Sequence, residues 1–202
     1  MPKIRLTKTE LKRQRDALKQ FTRFLPTLQL KKQQLQMEMR KCEERRVELE
    51  REAAAVMAKL EPWIGLFADP GAAAWLREHL RLVEIVTGRH NIAGVDVPVY
   101  RAVRFQVAGY DLFLNAPWLD SALRILQRLI ELRARRDIIA EQHRRLGHEL
   151  RITTQRVNLF EKVKIPEAKE NIRVIQINLG DQQTAAVGRG KIAKRKLLEV
   201  AA

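Results

Sequence analysis

No glycine or proline interrupts residues 28–60, LQLKKQQLQMEMRKCEERRVELEREAAAVMAKL. Alternating steps of three and four residues through this stretch, extended back to Leu11, reach mainly apolar side chains. This is the heptad repeat of a coiled coil, sustained for about seven heptads. The pattern predicts one long N-terminal helix that packs against another helix. Its repeat positions are Leu11, Gln14, Leu18, Phe21, Leu25, Leu28, Lys32, Leu35, Met39, Cys42, Arg46, Leu49, Ala53, Val56 and Leu60.

A second heptad repeat occupies the C-terminal part of the chain. It begins at Trp118, directly after Pro117, and Asp120 and Ser121 are candidate caps for the first turn of its helix. A chain with a long helix at each end must fold back on itself, so the two repeats predict an antiparallel two-helix coiled coil. The repeat positions are Trp118, Ala122, Ile125, Leu129, Leu132, Arg136, Ile139, His143, Leu146, Leu150, Thr153, Val157 and Phe160.

Two places should make this coiled coil irregular. Pro26 predicts a kink in the first helix, because its ring presses on the carbonyl group four residues earlier. In the second helix, the spacing from Phe160 through Lys164 to Ala168 gives two steps of four. Such a stutter locally unwinds a coiled coil.

The segment between the two repeats differs in kind, since it holds seven of the eleven aromatic residues. Residues 82–87 predict a strand, and Val95–Val107 alternates apolar and mainly polar residues, which predicts a second strand. The two strands would form a β-hairpin with its turn at residues 87–91. Short helices are expected at residues 63–67 and 72–81.

The predicted fold class is therefore mainly α, with a small central segment of short helices and a β-hairpin. The sequence divides into an N-terminal coiled-coil helix (1–61), a central cap (62–117) and a C-terminal coiled-coil helix (118–187). Gly188-Arg189-Gly190 is expected to end the second helix. The remaining residues, 188–202, would then form a basic flexible tail.

The net charge of +15 favours acidic partners, which include nucleic acid, an anionic membrane face or an acidic protein cavity. Apolar runs are too short to span a bilayer, and the N-terminus lacks the apolar core of a signal peptide. We therefore expect no direct membrane insertion and a cytoplasmic location.

No pattern typical of a catalytic, metal or cofactor site is present in the sequence. His143 and His148 are five apart, so they lie about 140° apart around a helix and do not form a metal pair. We expect one of them on the heptad seam and the other exposed. The lone cysteine, Cys42, falls on the first repeat, where it would pack as a small apolar residue. We expect no catalytic residue, no metal and no cofactor.

Basic residues concentrate at both ends of the chain. Because the predicted helices are antiparallel, both groups would lie at the tip opposite the hairpin. They are either a solvated tail or a surface that docks on an acidic partner. No aromatic residues are interleaved to stack on bases, which weakens a single-strand nucleic-acid site. The groups are Lys3, Arg5, Lys8, Lys12, Arg13 and Arg15, and Arg189, Lys191, Lys194, Arg195 and Lys196.

Three segments resemble one protein family. Thr7–Leu35 is similar to its opening helix, and Asn91–Pro98 is close to its Asn-Ile-Met-Gly-Val-Lys-Val-Pro motif. Arg156–Glu161, followed by Ile165-Pro166, is similar to its Arg-Val-Asn-Ala-Leu-Glu and Ile-Pro segments. The chain thus resembles the D subunit of the V-type (vacuolar/archaeal-type) ATPases and ATP synthases, in the bacterial version, over nearly its whole length.

The resemblance implies a non-catalytic central-stalk rotor, present in one copy, that transmits torque between a membrane ring and a catalytic head. The implied partners are the catalytic A and B subunits, the small F subunit of the stalk and the membrane-ring adaptor. The location would be the cytoplasmic face of the membrane. Candidate partner-contact residues are Asn91, Ile92, Gly94, Val95, Val97, Pro98, Arg156, Asn158, Arg189, Lys191, Lys194 and Arg195.

Two alternatives of other classes stay open from the residues alone. A basic helical hairpin could bind nucleic acid, although many basic residues alternate with glutamates as on a solvated face. A coiled-coil scaffold would explain the repeats but not the Asn91–Pro98 motif. The alternating strand Val95–Val107 could also recruit a partner by strand addition, although plain hairpin packing is the commoner use of such a pattern.

Overall fold

A computed structural model of the chain describes residues 4–111 and 113–200. Its elements confirm the predicted mainly α fold, with a long helical segment at each end and a hairpin between them. They are helix α1 (Lys8–Leu60), a 3₁₀ helix (Glu61–Ala68), α2 (Pro70–His79), strands β1 (Leu80–Ile92) and β2 (Val95–Val107), α3 (Trp118–Leu159), a π-helical turn (Phe160–Lys164) and α4 (Ile165–Val200).

The chain forms two compact units. The hairpin unit comprises residues 33–151. The terminal unit comprises residues 1–32 and 152–202.

Within the hairpin unit, α1 and α3 are antiparallel. The Cys42 Sγ lies 3.7 Å from Oε1 of Gln142. Further along α1, Glu52 accepts a hydrogen bond of 3.0 Å from Arg128. Residues further along α1 thus contact residues earlier in α3, as expected for antiparallel helices.

The terminal unit shows the same relation. The rings of Phe21 and Phe160 pack with centroids 5.1 Å apart. Nearer the start of α1, Gln14 accepts a hydrogen bond of 3.4 Å from Asn171. The first heptad repeat thus contacts the C-terminal helical segment in this unit also. Thr7 begins α1 in the manner of a helix cap, because its hydroxyl accepts from the Glu10 amide at 3.2 Å.

The heptad prediction is accurate on α1 and partly wrong on α3. None of the fifteen repeat positions on α1 is exposed. On α3, however, the predicted positions Arg136 and His143 are exposed, and Gln142 is buried in place of His143. The reason is that α3 packs against two neighbours, α1 and strand β2. Its buried face is therefore wider than a single heptad stripe.

Gln142 shows how the hairpin attaches to the helices. Its Nε2 donates a 2.6 Å hydrogen bond to the carbonyl of Pro98 in β2, and its Oε1 accepts from the Cys42 thiol in α1. A neighbouring side chain, Arg145, donates to the carbonyl of Asp96 at 3.0 Å. One turn of α3 thus holds both the first helix and the second strand.

The hairpin turn lies later in the sequence than predicted. Both strands have 13 residues, and the turn is Ala93-Gly94 rather than residues 87–91. Ala93 has φ 50° and Gly94 has φ 82°, as in the two-residue turn whose twist matches that of the strands. Gly88, which suggested a turn, instead sits inside β1, where its missing side chain leaves room for Arg101.

The predicted unwinding near Phe160 coincides with the π-helical turn. Here the Ile165 amide donates to the Phe160 carbonyl, five residues back instead of four. Pro166 follows at once. A wider turn relieves the clash that a proline ring makes with the carbonyl four residues earlier. The π-helical turn therefore accommodates both the irregular heptad spacing and the proline.

Helix α4 does not end at Gly188-Arg189-Gly190, so that prediction is wrong. It continues to Val200, because the residues around the glycines include alanine, leucine, lysine and arginine, which favour helix. Residues 201–202 of the predicted tail lie outside the described residues. Pro26 lies inside α1, and the kink predicted there stays a prediction.

The short central helices are confirmed and enclose a small core of their own. Asp69 caps α2 by accepting a 3.0 Å hydrogen bond from the Gly71 amide. The 3₁₀ helix adds Trp63 and Phe67, which pack edge-on against Trp118 at the start of α3. The buried residues of this cluster are Ala72, Leu76, Leu119, Ala122 and Leu123.

Replacing Gly94 with alanine should lower the free energy of unfolding by about 1 kcal/mol, because a Cβ is strained at positive φ. Urea unfolding monitored by circular dichroism would measure the change. Gly65→Ala is the matched control, since its added Cβ would meet nothing within 4 Å and its φ is not positive. An equal loss in both variants would contradict the turn geometry.

Replacing Gln142 with alanine should lower the free energy of unfolding by about 2 kcal/mol, because the Pro98 carbonyl and the Cys42 thiol lose their partner. The neighbouring substitution His143→Ala should change it by less than about 0.5 kcal/mol, since His143 is exposed. The same urea experiment compares the two. A larger loss for His143→Ala than for Gln142→Ala would instead support the heptad prediction, in which His143 lies on the seam.

Candidate interaction surfaces

Cys42 is buried, and His143 and His148 are exposed. Among the described residues, no group of three or more His, Cys, Asp or Glu side chains could hold a metal ion. His143 and His148 are both exposed, so neither lies on the seam. Cys42 is 2% exposed, and desolvation by burial raises the pKa of its thiol more than the nearby Arg45 lowers it. A buried neutral thiol is a packing group rather than a nucleophile.

Two hydrogen bonds join the polar candidate Asn91 to other residues of the hairpin tip. The amide of Asn91 donates to Oδ1 of Asp96 at 2.6 Å. In turn, the backbone amide of Gly94 donates to Oδ1 of Asn91 at 3.0 Å. These bonds close the turn and align the ends of the two strands. The Asn91 and Asp96 side chains remain exposed to solvent.

The apolar candidates of the hairpin face its own helices. Val97 is 1% exposed and packs in a buried cluster with Leu35, Cys42 and Leu146. Ile92 and Val95 pack against the same cluster, and Pro98 supplies the carbonyl that Gln142 binds. The structure therefore brings the six hairpin candidates together, and two of them, Val97 and Pro98, attach the hairpin to the helices.

The remaining candidates do not join that group. Arg156 and Asn158 are exposed on α3, and the four basic candidates from Arg189 to Arg195 are exposed on α4. Arg156 and Arg189 are separated by about 50 Å of helix at 1.5 Å per residue. Arg195 forms a 3.5 Å ion pair with Glu199, within its own helix. These residues are separate surface positions and not one site.

Much of the helical surface carries ion pairs between residues three or four apart. Arg46 lies 2.6 Å from a carboxylate oxygen of Glu43, and Glu141 binds both Arg144 and Arg145. The hydrogen bonds from these two guanidinium groups lower the pKa of Glu141 to about 2. Such faces stay charged and hydrated over the physiological pH range.

Sequence reasoning missed an exposed apolar loop between β2 and α3. Phe113 is 99% exposed and Leu114 is 84% exposed. Asp111 holds the loop, since it accepts from the Phe113 amide at 2.8 Å and its carbonyl accepts from the Asn115 side chain at 2.7 Å. The signal was available: a run of apolar residues between two turn-forming residues belongs to no heptad. Leu112, within this run, lies outside the described residues.

A second set of exposed apolar side chains lies on the hairpin and the 3₁₀ helix. Isolated exposed apolar residues are ordinary, but groups of them mark protein–protein interfaces. This set and the exposed loop both belong to the hairpin unit. The members of the set are Ile64, Leu66, Leu82, Val83, Ile85 and Val107.

None of the helices in the described part of the chain is both long enough and apolar enough to cross a bilayer.

Comparisons with known proteins support the family resemblance that the sequence indicated. The family model described as the ATP synthase D subunit matches residues 10–195. The V-type ATP synthase D subunit of Borreliella burgdorferi is 44% identical over 200 residues, covering 98% of this chain and 97% of that protein. The protein of the same name from Chlamydia pneumoniae is 31% identical over 194 residues, covering 96% of this chain and 93% of its own length. Over almost its entire length, the chain therefore belongs to the family of V-type ATP synthase D subunits.

Proposed function

We propose that this chain is the central-stalk rotor of a V-type ATP synthase. In this role it transmits torque between the membrane ion-translocating ring and the catalytic A and B subunits. The coupled process is ATP synthesis or hydrolysis with proton or sodium transport. The observation that carries the proposal is the family membership of a chain whose two long helical segments pair antiparallel in each of its compact units.

A torque-bearing element must resist twisting and bending, and the contacts between the helices support that requirement. In the hairpin unit, buried Leu35 and Leu146 pack in one cluster, and the ion pair of Arg128 with Glu52 joins the same two helices. In the terminal unit, the ring contact of Phe21 with Phe160 joins α1 to the π-helical turn. Each contact opposes the sliding of one helix along the other.

A rotor must also turn inside a ring of other subunits without adhering to it. Hydrated ion pairs such as those of Arg173 with Glu170 and of Arg46 with Glu50 suit such a surface. Exposed salt bridges contribute little to stability and make weak, exchangeable contacts. An apolar outer face would instead favour one fixed orientation.

The two units would meet different partners. The exposed apolar groups of the hairpin unit, including Phe113 and Leu114, suit lasting contacts with the small F subunit of the stalk and the membrane-ring adaptor. The exposed basic residues of α4 suit the interior of the A and B ring. The chain would then lie at the cytoplasmic face of the membrane, in one copy per complex, and would itself catalyse no reaction.

Deleting residues 181–202 should uncouple the complex. Every described side chain in this segment is exposed, so the deletion removes no core and should leave the rest of the chain folded. We expect ATP-driven ion pumping in reconstituted vesicles to fall at least tenfold, while the A, B and F subunits still co-purify with the chain. Full coupling after the deletion would contradict the rotor proposal.

A charge-neutral variant tests whether the end of α4 acts as a mechanical lever or as a surface that docks on a partner. It retains the full length and replaces Arg189, Lys191, Lys194 and Arg195 with glutamine. Retained pumping would assign coupling to the length of the helix, and lost pumping would assign it to contacts with an acidic lining. A filter-binding assay with RNA and DNA at physiological salt tests the rival class. Tight, steeply salt-dependent binding there would favour a nucleic-acid module.

A further inference from the structure

A cleft of about 360 Å³ lies within the hairpin unit, between the inner face of the hairpin and the helices. Helix α1 contributes Arg45 to its wall, and α3 contributes Gln142. The strands contribute two further arginines, Arg89 and Arg101, together with His90 and an apolar floor.

The charge of this cleft is one-sided. Three arginines and a histidine line it, and no aspartate or glutamate does. Elsewhere on the same helices, arginines such as Arg46 and Arg144 are paired with carboxylates at 2.6–2.7 Å. In the described part of the chain, Arg45, Arg89 and Arg101 form no ion pair with a carboxylate. No carboxylate therefore faces these arginines within the cleft, although Arg45 also lines a neighbouring cavity with Glu48 and Glu52.

The position of Arg101 is specified by two independent backbone features. Val86 pairs with Ala102 and Thr87 pairs with Tyr100, so Arg101 is the extra residue of a β-bulge. Bulges redirect a side chain, and they are frequent beside functional sites. In addition, a Cβ on Gly88 would lie 2.7 Å from Nε of Arg101. A side chain on residue 88 would therefore push the guanidinium group of Arg101 away from its present place.

The number of charges indicates the kind of anion. Guanidinium groups bind carboxylates and phosphates through paired hydrogen bonds. A single carboxylate would neutralise one of the three arginines, whereas phosphate carries more than one negative charge on average near neutral pH, and pyrophosphate carries at least two on a compact group. We propose that this cleft binds a multivalent oxyanion of the phosphate class, either free phosphate or the phosphates of a nucleotide. The bound anion would join β2, through Arg101, to α1, through Arg45.

Isothermal titration of the purified full-length chain at 150 mM salt tests the site, with pyrophosphate, inorganic phosphate and ADP as the probes. We expect one bound pyrophosphate per chain and at least tenfold weaker binding in Arg101→Gln and in Arg45→Gln. Gly88→Ala should weaken binding similarly, because the new methyl group displaces Arg101. Tighter binding of ADP than of pyrophosphate would assign the phosphates to a nucleotide, and equal or weaker binding would assign them to the free anion.

Arg104→Gln is the matched control. It removes the same charge from the same strand, but Arg104 pairs with Glu84 and does not line the cleft. Its binding should stay within twofold of the unsubstituted chain. Circular dichroism of each variant confirms folding, and the three cleft substitutions on different elements keep the test informative if one of them fails to fold.

Three results would overturn the proposal. The first is no binding of any probe at millimolar concentration. The second is an equal loss in Arg104→Gln, which would show only a general response to net charge. The third is tighter binding of a hexaglutamate peptide than of pyrophosphate, with the same loss in Arg101→Gln, which would assign the cleft to an acidic protein segment.

Discussion

The burial of Val97 between the two long helices is the contact on which the hairpin unit depends. This side chain packs with Leu35 and Cys42 of α1 and with Leu146 of α3, so a strand completes a core that two helices begin. A two-stranded hairpin alone is marginally stable in water. Two long helices alone would bury only a narrow stripe. Each part therefore stabilises the other, and the hydrogen bond from Gln142 to β2 fixes their register.

Hydrophobic periodicity predicted most of this fold because a coiled coil is a local pattern repeated many times. On α1 every predicted seam position from Leu11 to Leu60 is buried or half-buried. The pattern failed where a second neighbour intervenes. Gln142 is buried because β2 covers it, and the sequence of α3 alone contains no information about that strand. The hairpin turn was predicted at the wrong place for a related reason. Gly88 does not form a turn; its missing side chain leaves room for Arg101.

The candidate interaction residues were also only partly predictable from the sequence. The Asn91–Pro98 motif was recognisable, but its individual roles followed only from three-dimensional contacts. Asn91 closes the turn, whereas Val97 enters the core. The cleft at Arg45 and Arg101 was invisible in the sequence, because its charges come from residues more than fifty positions apart and a β-bulge directs one of them. The exposed Phe113 could have been found as an apolar residue outside any repeat.

The last part of α4 should be more dynamic in the free protein than in an assembled complex. From Asp181 to Leu197 no side chain is shielded from solvent, and the segment contains two glycines, each costing a helix about 1 kcal/mol relative to alanine. Tertiary packing, which stabilises most protein helices, is therefore absent from this part of the described chain. Its amide hydrogens should exchange quickly in the free protein and slowly once a surrounding surface orders it. Exchange rates in this segment would thus report, residue by residue, which part of the helix becomes covered when a partner binds.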